Sequence, residues 1–373
     1  MYQRFFIDPT LRAAIIDLRE MNRLDPRVKK IHGRMVRSAT KGGLKLQTAS
    51  KNQRLQREWK QFVARTGIHR PEKLQSDCRG LVMEGNLPLQ VVLDGSNQVT
   101  GLVRMPAETI VPIVGENGQF EDPRYAYEQR NPYESTALAS FALWQMVVAR
   151  LEPENYDDHG SLGRPYLDAT RSLWQKLTMT EEDMVIRRHT RAPMRLNHVL
   201  ENAGEGEIEE YRQRVEQDQG DQTTDFYATK KPGVSAIQGD ENLGQIGDVI
   251  HLLDTFFSGA PAPKGLFGYA GDLSRDILED MKRDYFEELD AVQDVQASAY
   301  EFAFRLQLLI NGLVPDNYDF KVQFAERRTE TGNQAADRAL KYQAIGASQQ
   351  TVWETAGLTP RTEVDQLEEE QDE

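Results

Sequence analysis

Residues 273–313 read LSRDILEDMKRDYFEELDAVQDVQASAYEFAFRLQLLINGL, and the reading of this stretch decides the fold. Leu273, Ile277, Met281, Tyr285, Leu289, Val292, Val295, Ala299, Phe302, Leu306, Leu309 and Leu313 recur by threes and fours. That rhythm is close to the helical period of 3.6. At 1.5 Å per residue the predicted helix is about 60 Å long, more than one small domain can cover. Its apolar stripe is therefore expected to need other helices, or other copies of the chain, along its length.

After this helix, FKVQFAERR alternates like an edge strand. Helices through AADRALKYQAIG and SQQTVWETAGL then lead to the acidic tail EVDQLEEEQDE. Before it, Val249–Phe257 reads as a short amphipathic helix closed by Ser258-Gly259, and ATKKPGVSAIQGDENLGQIGD reads as loop. MRLNHVL is strand-like, and Glu201–Asp221 holds eight acids against two arginines, so it is expected to be solvated and protruding. GSLGRPYLDATRSLWQKLTMTEEDMVIRRHT reads as one helix, with Pro165 in its first turn and Pro193 beyond its end. Residues 80–151 read as β-rich: LVME, LQVVLD and TGLVRM are short strands, with Asp94-Gly95 as a hairpin turn, followed by IVPIV and YAYEQ. ALWQMVVAR suits either a strand or a short helix. Three helices come first, around Leu11–Leu18, Val28–Met35 and Gln53–Thr66, with a break at Asp25-Pro26 and a stop at Lys41-Gly42-Gly43.

The chain has 373 residues, 39% of them hydrophobic and 28% charged, enough for a real core in two or more units. No apolar run approaches the roughly 18 residues of a membrane span, and the start lacks a signal-peptide pattern. One cysteine, Cys78, excludes an internal disulfide, and six scattered histidines argue against structural zinc. The net charge is −14, unevenly spread: Met1–Lys60 carries 15 Lys/Arg against 5 Asp/Glu. A basic front and an acidic remainder suggest polar subunit contacts or a nucleic-acid role.

Four arginines and a histidine crowd into RRHTRAPMR, residues 187–195. A subunit seam, a phosphate contact and a solvated face are all consistent with that cluster. Lys264, in the glycine-rich PAPKGLFGYAGD, could act with Phe267 and Tyr269 in a mobile loop, or the loop could be a capped turn over a buried Phe267. No Gly-Lys-Ser or Gly-Lys-Thr follows a glycine-rich loop, so a phosphate-cradling nucleotide site is not expected. Glu181-Glu182-Asp183 are adjacent on a helix and diverge, and His189 and His198 lack a third ligand, so no catalytic or metal site is assigned.

Three segments together resemble the portal proteins of tailed bacteriophages: GRPYLDATRSLWQKLTMTEEDMVIRRHTRAPMR, GDENLGQIGDVIHLLDTFFSGAPAPKGLFGYAGDLS, and the long helix ending in EFAFRLQLLING. ALKYQAIGASQQTVWETAGL adds a weaker likeness, so the resemblance covers roughly residues 163–358. The implied fold is α+β: a portal fold with long stem and wing helices, a β-rich wing, a small α/β clip and a short helical crown. It implies a wing over residues 1–163, a stem helix at 164–190, a clip at 191–245 and a second stem helix at 246–258. A tunnel loop at 259–271, a long wing helix and strand at 272–332, and a crown and tail at 333–373 complete it.

The resemblance also implies a homo-oligomeric ring of about twelve copies at the capsid vertex, a channel for double-stranded DNA in packaging and ejection. The implied partners are the large terminase, a head–tail adaptor and the major capsid protein, with no membrane, no cofactor and no reaction of its own. Such a protein is assembled in the bacterial cytoplasm and carried in the virion. Arg187, Arg188, Arg191 and Arg195 would then form a seam with acids of a neighbouring copy, and Trp174 a contact between copies. Lys264, Phe267 and Tyr269 would face DNA, and Glu205, Glu207, Glu209 and Glu210 would dock terminase or adaptor. The competing class is a metal-dependent nuclease or other DNA-processing enzyme.

Overall fold

In the computed structural model the long stripe becomes one helix, Arg275–Ile310, closed at Gly312. Gly312, at φ +71°, returns its N–H to Leu309 while Leu313 returns its own to Leu308, the paired bonds of a glycine C-cap. The structure describes residues 11–48, 52–131, 136–191, 197–200, 203–219, 226–228, 246–260, 263–268, 275–325 and 332–358.

In chain order the elements are α1 (Leu11–Leu24), α2 (Pro26–Thr40), β1 (Leu44–Thr48), α3 (Gln53–Thr66) and α4 (Pro71–Glu84). Then come β2 (Asn86–Leu93), β3 (Val99–Arg104), β4 (Ile110–Pro112), β5 (Tyr127–Arg130), β6 (Ala137–Phe141) and β7 (Met146–Arg150). The second half holds α5 (Arg171–Arg191), β8 (Asn197–Val199), α6 (Glu205–Gln219), β9 (Phe226–Ala228) and α7 (Gly247–Ser258). It ends with α8 (Arg275–Ile310), β10 (Phe320–Phe324), α9 (Gly332–Ala344) and α10 (Gln349–Ala356). The class is α+β. Two antiparallel three-stranded sheets run in the orders β3-β2-β7 and β4-β5-β6, β1 pairs antiparallel with β10, and β8 pairs parallel with β9.

The long helix is the axis of the main core. Tyr285, Leu289, Val292, Tyr300, Phe304 and Leu308 are buried against residues of α2, α3, α4 and the sheets. Phe304 meets Trp59 and Phe62 of α3 at 5.0 and 5.4 Å between ring centres, and Phe320 of β10 at 5.4 Å. Of the two covers expected, other helices or other copies, the stripe is wrapped mainly by other elements of its own chain over its C-terminal two-thirds. Ile277, Phe302 and Leu309 remain exposed. Buried glutamines stand in for the missing apolar positions. Gln296 donates to the Leu74 carbonyl at 3.1 Å, Gln293 donates to that of Ala39, and the Gln307 oxygen accepts from Val99 N–H at 2.7 Å. A long amide side chain can be buried when its polar atoms find partners, although here the Gln296 oxygen has none among the described residues.

Two local expectations change. LVME is the last turn of α4, not a strand: Pro71 opens that helix and Gly85, at φ +71°, ends it. Its apolar run is buried on every side, where periodicity cannot separate strand from helix. Pro165 does not start α5. Residues 166–170 form turns, with Arg164 N–H bonded to the Leu151 carbonyl and Tyr166 N–H to that of Val82, and the helix begins at Arg171. The open reading of ALWQMVVAR resolves as β7, paired with β2.

Candidate functional site

The Asp25-Pro26 break places a carboxylate at the head of α2, where it caps the helix by accepting from Arg27 N–H at 2.7 Å. The same carboxylate accepts from the Arg27 guanidinium and, at 2.9 Å, from the Trp174 indole N–H of α5. Arg27 also forks onto Glu181 of α5 at 2.7 and 2.9 Å. Burial pushes the Asp25 carboxyl up, but the bonds from Arg27 and Trp174 outweigh it and hold it below its ordinary value. Arg171 adds a third stitch, to Asp168 and to Asp17 of α1. Trp174, expected at a contact between copies, thus points its polar edge into its own chain and packs half-buried on the main core.

Beyond this anchor α5 leaves the body. Leu177 is buried, and no described residue after it on α5 is. The helix α7 runs back beside it: the Thr170 methyl lies against Gly259, while Asp183, Arg187 and Arg188 share a groove of about 190 Å³ with Ile246, Asp248 and Val249. Only Phe256 and Phe257, at the inner end of α7, are buried. The outer part of this antiparallel pair shows Met179, Val185, Ile186 and Ile250 to solvent. Arg187 and Arg188 are exposed near the far end; the side chain of Arg191 and all of Arg195 lie outside the described residues.

At the inner end, Lys264–Phe267 forms a single 3-10 turn. Lys264 pairs with Asp254 of α7. Lys30 of α2 donates to the Phe267 carbonyl at 2.9 Å, and Arg34 donates to that of Leu266 while its guanidinium stands 5.5 Å over the Phe267 ring. Phe267 is 5% exposed and meets Phe257 at 6.0 Å, so the expectation that it faces a nucleic acid gives way to the buried alternative. Tyr269 lies outside the described residues. The sequence hinted at Asp25 through its Asp-Pro pair. Lys30 and Arg34 carry no such signal, since nothing in their spacing shows a carbonyl more than two hundred residues away.

Glu205, Glu207, Glu209 and Glu210 open α6, and all four are exposed. Glu210 pairs with Arg214 at 2.7 Å, Glu209 lies 3.8 Å from Arg212, and Glu207 accepts from Gly204 N–H at 3.1 Å. Acids in a first turn suit the positive end of the helix. Tyr211 ties α6 to β8 through His198, 3.3 Å from ring nitrogen to hydroxyl.

Three shifted titratable groups, His32, Cys78 and Asp77, lie in the core. His32 is pulled down to about 4 by burial and by Arg79, and burial pushes the Cys78 thiol up to about 12. Asp77 is raised by burial against the pull of Lys73 and Tyr300. Among the described residues no group of three His, Cys, Asp or Glu is placed to hold a metal, and no helix is long and apolar enough to cross a membrane.

Neither a family model nor a curated protein sequence matches the chain. Solved structures do. The chain is similar to one in the neck of a native gene transfer agent particle resolved with C12 symmetry, at 14% identity and a TM-score of 0.54, over 95% of this chain and 100% of that one. It is also similar to a chain in the neck of an empty particle resolved with C6 symmetry, at 13% identity and 0.58, over 92% and 94%. A chain of the native virion matches at 12% identity and 0.58, over 95% and 100%. At these identities the likeness establishes a common fold across nearly the whole chain.

Proposed function

We propose that this chain is the subunit of a portal-type ring, a channel for double-stranded DNA and a docking platform at the vertex of a phage-like capsid. The observation that carries the reading is a fold held in common, over 95% of the chain, with a subunit of a neck of twelvefold symmetry. The protruding α5–α7 pair supports it, because exposed Met179, Val185 and Ile186 on so slender an element call for cover from adjacent copies.

In this assignment residues 1–163 and 272–332 form the wing, α5 and α7 the stem, 191–245 the clip, 259–271 the tunnel loop and 333–373 the crown. Arg187, Arg188, Arg191 and Arg195 lie at the seam between copies, facing carboxylates, where the guanidinium fork binds in two places at once. Glu205, Glu207, Glu209 and Glu210 offer the large terminase and then a head–tail adaptor a charged surface for reversible docking. The wing faces the major capsid protein. Lys264 is the cation of the tunnel loop nearest passing DNA. The protein performs no reaction and needs no cofactor. A net charge of −14 per copy, repeated around a ring, repels phosphate and lets a duplex slide without being gripped.

Negative-stain microscopy of the purified protein tests this directly. Rings with a central hole are expected, and Arg187→Glu with Arg188→Glu should weaken their assembly. Compact monomers at high concentration that cleave DNA with magnesium would reject the reading in favour of a nuclease.

A further inference from the structure

Arg27, Lys30 and Arg34 stand at i, i+3 and i+7 of α2, on one face of the helix. Each reaches a part of the chain far away in sequence: Glu181 of α5, the Phe267 carbonyl and the Leu266 carbonyl. We infer that this stripe is a latch: Lys30 and Arg34 hold the 264–267 turn in a retracted position, on the same helix through which Arg27 holds the stem.

The chemistry of the turn explains why a latch is needed. A 3-10 turn leaves its last carbonyls without partners, and two cations supply them here. Gly268 follows at φ +101°, so the chain can leave at once in the left-handed region. Phe267 acts as the plug, its ring between Phe257 and the Arg34 guanidinium. Asp254 draws Lys264 back along α7, so in this state the lysine serves the subunit and not a phosphate. The carbonyl acceptors are uncharged, so release of the turn would present Lys30 and Arg34, with Lys264, as cations toward a polyanion. The inference deepens the tunnel-loop assignment and takes its purpose from it, but the latch itself belongs to a single chain.

Hydrogen–deuterium exchange on the full-length protein, read by mass spectrometry, tests it. Lys30→Met with Arg34→Met should speed exchange of amides 264–268 by about tenfold or more, with residues 71–84 of the core unchanged. Should the double variant fail to fold, Arg34→Lys keeps the charge but loses the fork, and should give a smaller rise in the same segment. Unchanged exchange at 264–268 in a folded variant overturns the latch. Ring formation is scored separately by microscopy: a protected turn without rings counts against the proposed function alone, and rings with an indifferent turn count against the latch alone.

Discussion

Replacing Asp25 by alanine would remove the cap of α2, the acceptor of the Trp174 indole and one partner of Arg27 in a single step. The cap alone is worth about 1 kcal/mol. A hydrogen bond to a charged acceptor contributes about 1.5–3 kcal/mol. The Arg27 pair adds little more, because Glu181 still holds that guanidinium. The expected loss is about 3 kcal/mol. Trp174→Phe keeps the ring but loses the N–H, and should cost about 1–2 kcal/mol. If the two side chains meet as described, the double variant costs less than the sum of the singles, by about 1–2 kcal/mol. Urea unfolding of the four proteins, followed by circular dichroism, measures the cycle. Additivity within about 0.5 kcal/mol would show that Trp174 does not reach Asp25. The pH dependence has a definite sign too. The Asp25 carboxyl is held below its ordinary value, so its contribution is complete above pH 3.8 and is lost as pH falls below that.

His32 predicts a second acid effect. The unfolded imidazole takes up a proton near pH 6.5, whereas the buried one stays neutral down to about 4. Its contribution is full above that upper value and disappears on acidification between the two, by about 3 kcal/mol; a His32→Leu variant with the same pH slope in urea titrations would refute this. Backbone crowding gives a third prediction. A Cβ on Gly163 would sit 2.2 Å from the Gly85 carbonyl oxygen and 2.5 Å from Leu151 N, whereas one on Gly95 meets nothing. Gly163→Ala should cost about 3 kcal/mol or more and Gly95→Ala close to nothing, and equal melting temperatures for the two variants would count against this close approach of backbones.

The sequence carried α2, α3 and α8 well because their signals are local, whereas α4 and α6 were not read as helices. Asp25-Pro26 starts α2, Gly67 ends α3, and the three-four rhythm marks α8 to within a turn. The orientation of α8 was less legible. Hydropathy assigns Phe302 and Leu309 to the core and Gln296 and Gln307 to water, but the structure does the reverse, since the glutamines find backbone partners on α4 and β3. The two cations that hold the turn around a buried Phe267 escaped for the same reason: a contact between residue 34 and residue 266 is set by packing, which no window of neighbouring residues contains. The arginine cluster at 187–195 is plain in the sequence, but only the α5–α7 pair shows that Arg187 and Arg188 sit far out on a protruding element.

The pairing of β1 with β10, Leu44 opposite Phe324, has a consequence for biosynthesis. The front of the polypeptide leaves the ribosome roughly 270 residues before its partner strand, and translation takes on the order of tens of seconds to close that gap. Through that interval the faces of α2 and α3 that α8 will cover stay open, so a nascent or truncated product is exposed to aggregation until α8 and β10 have emerged.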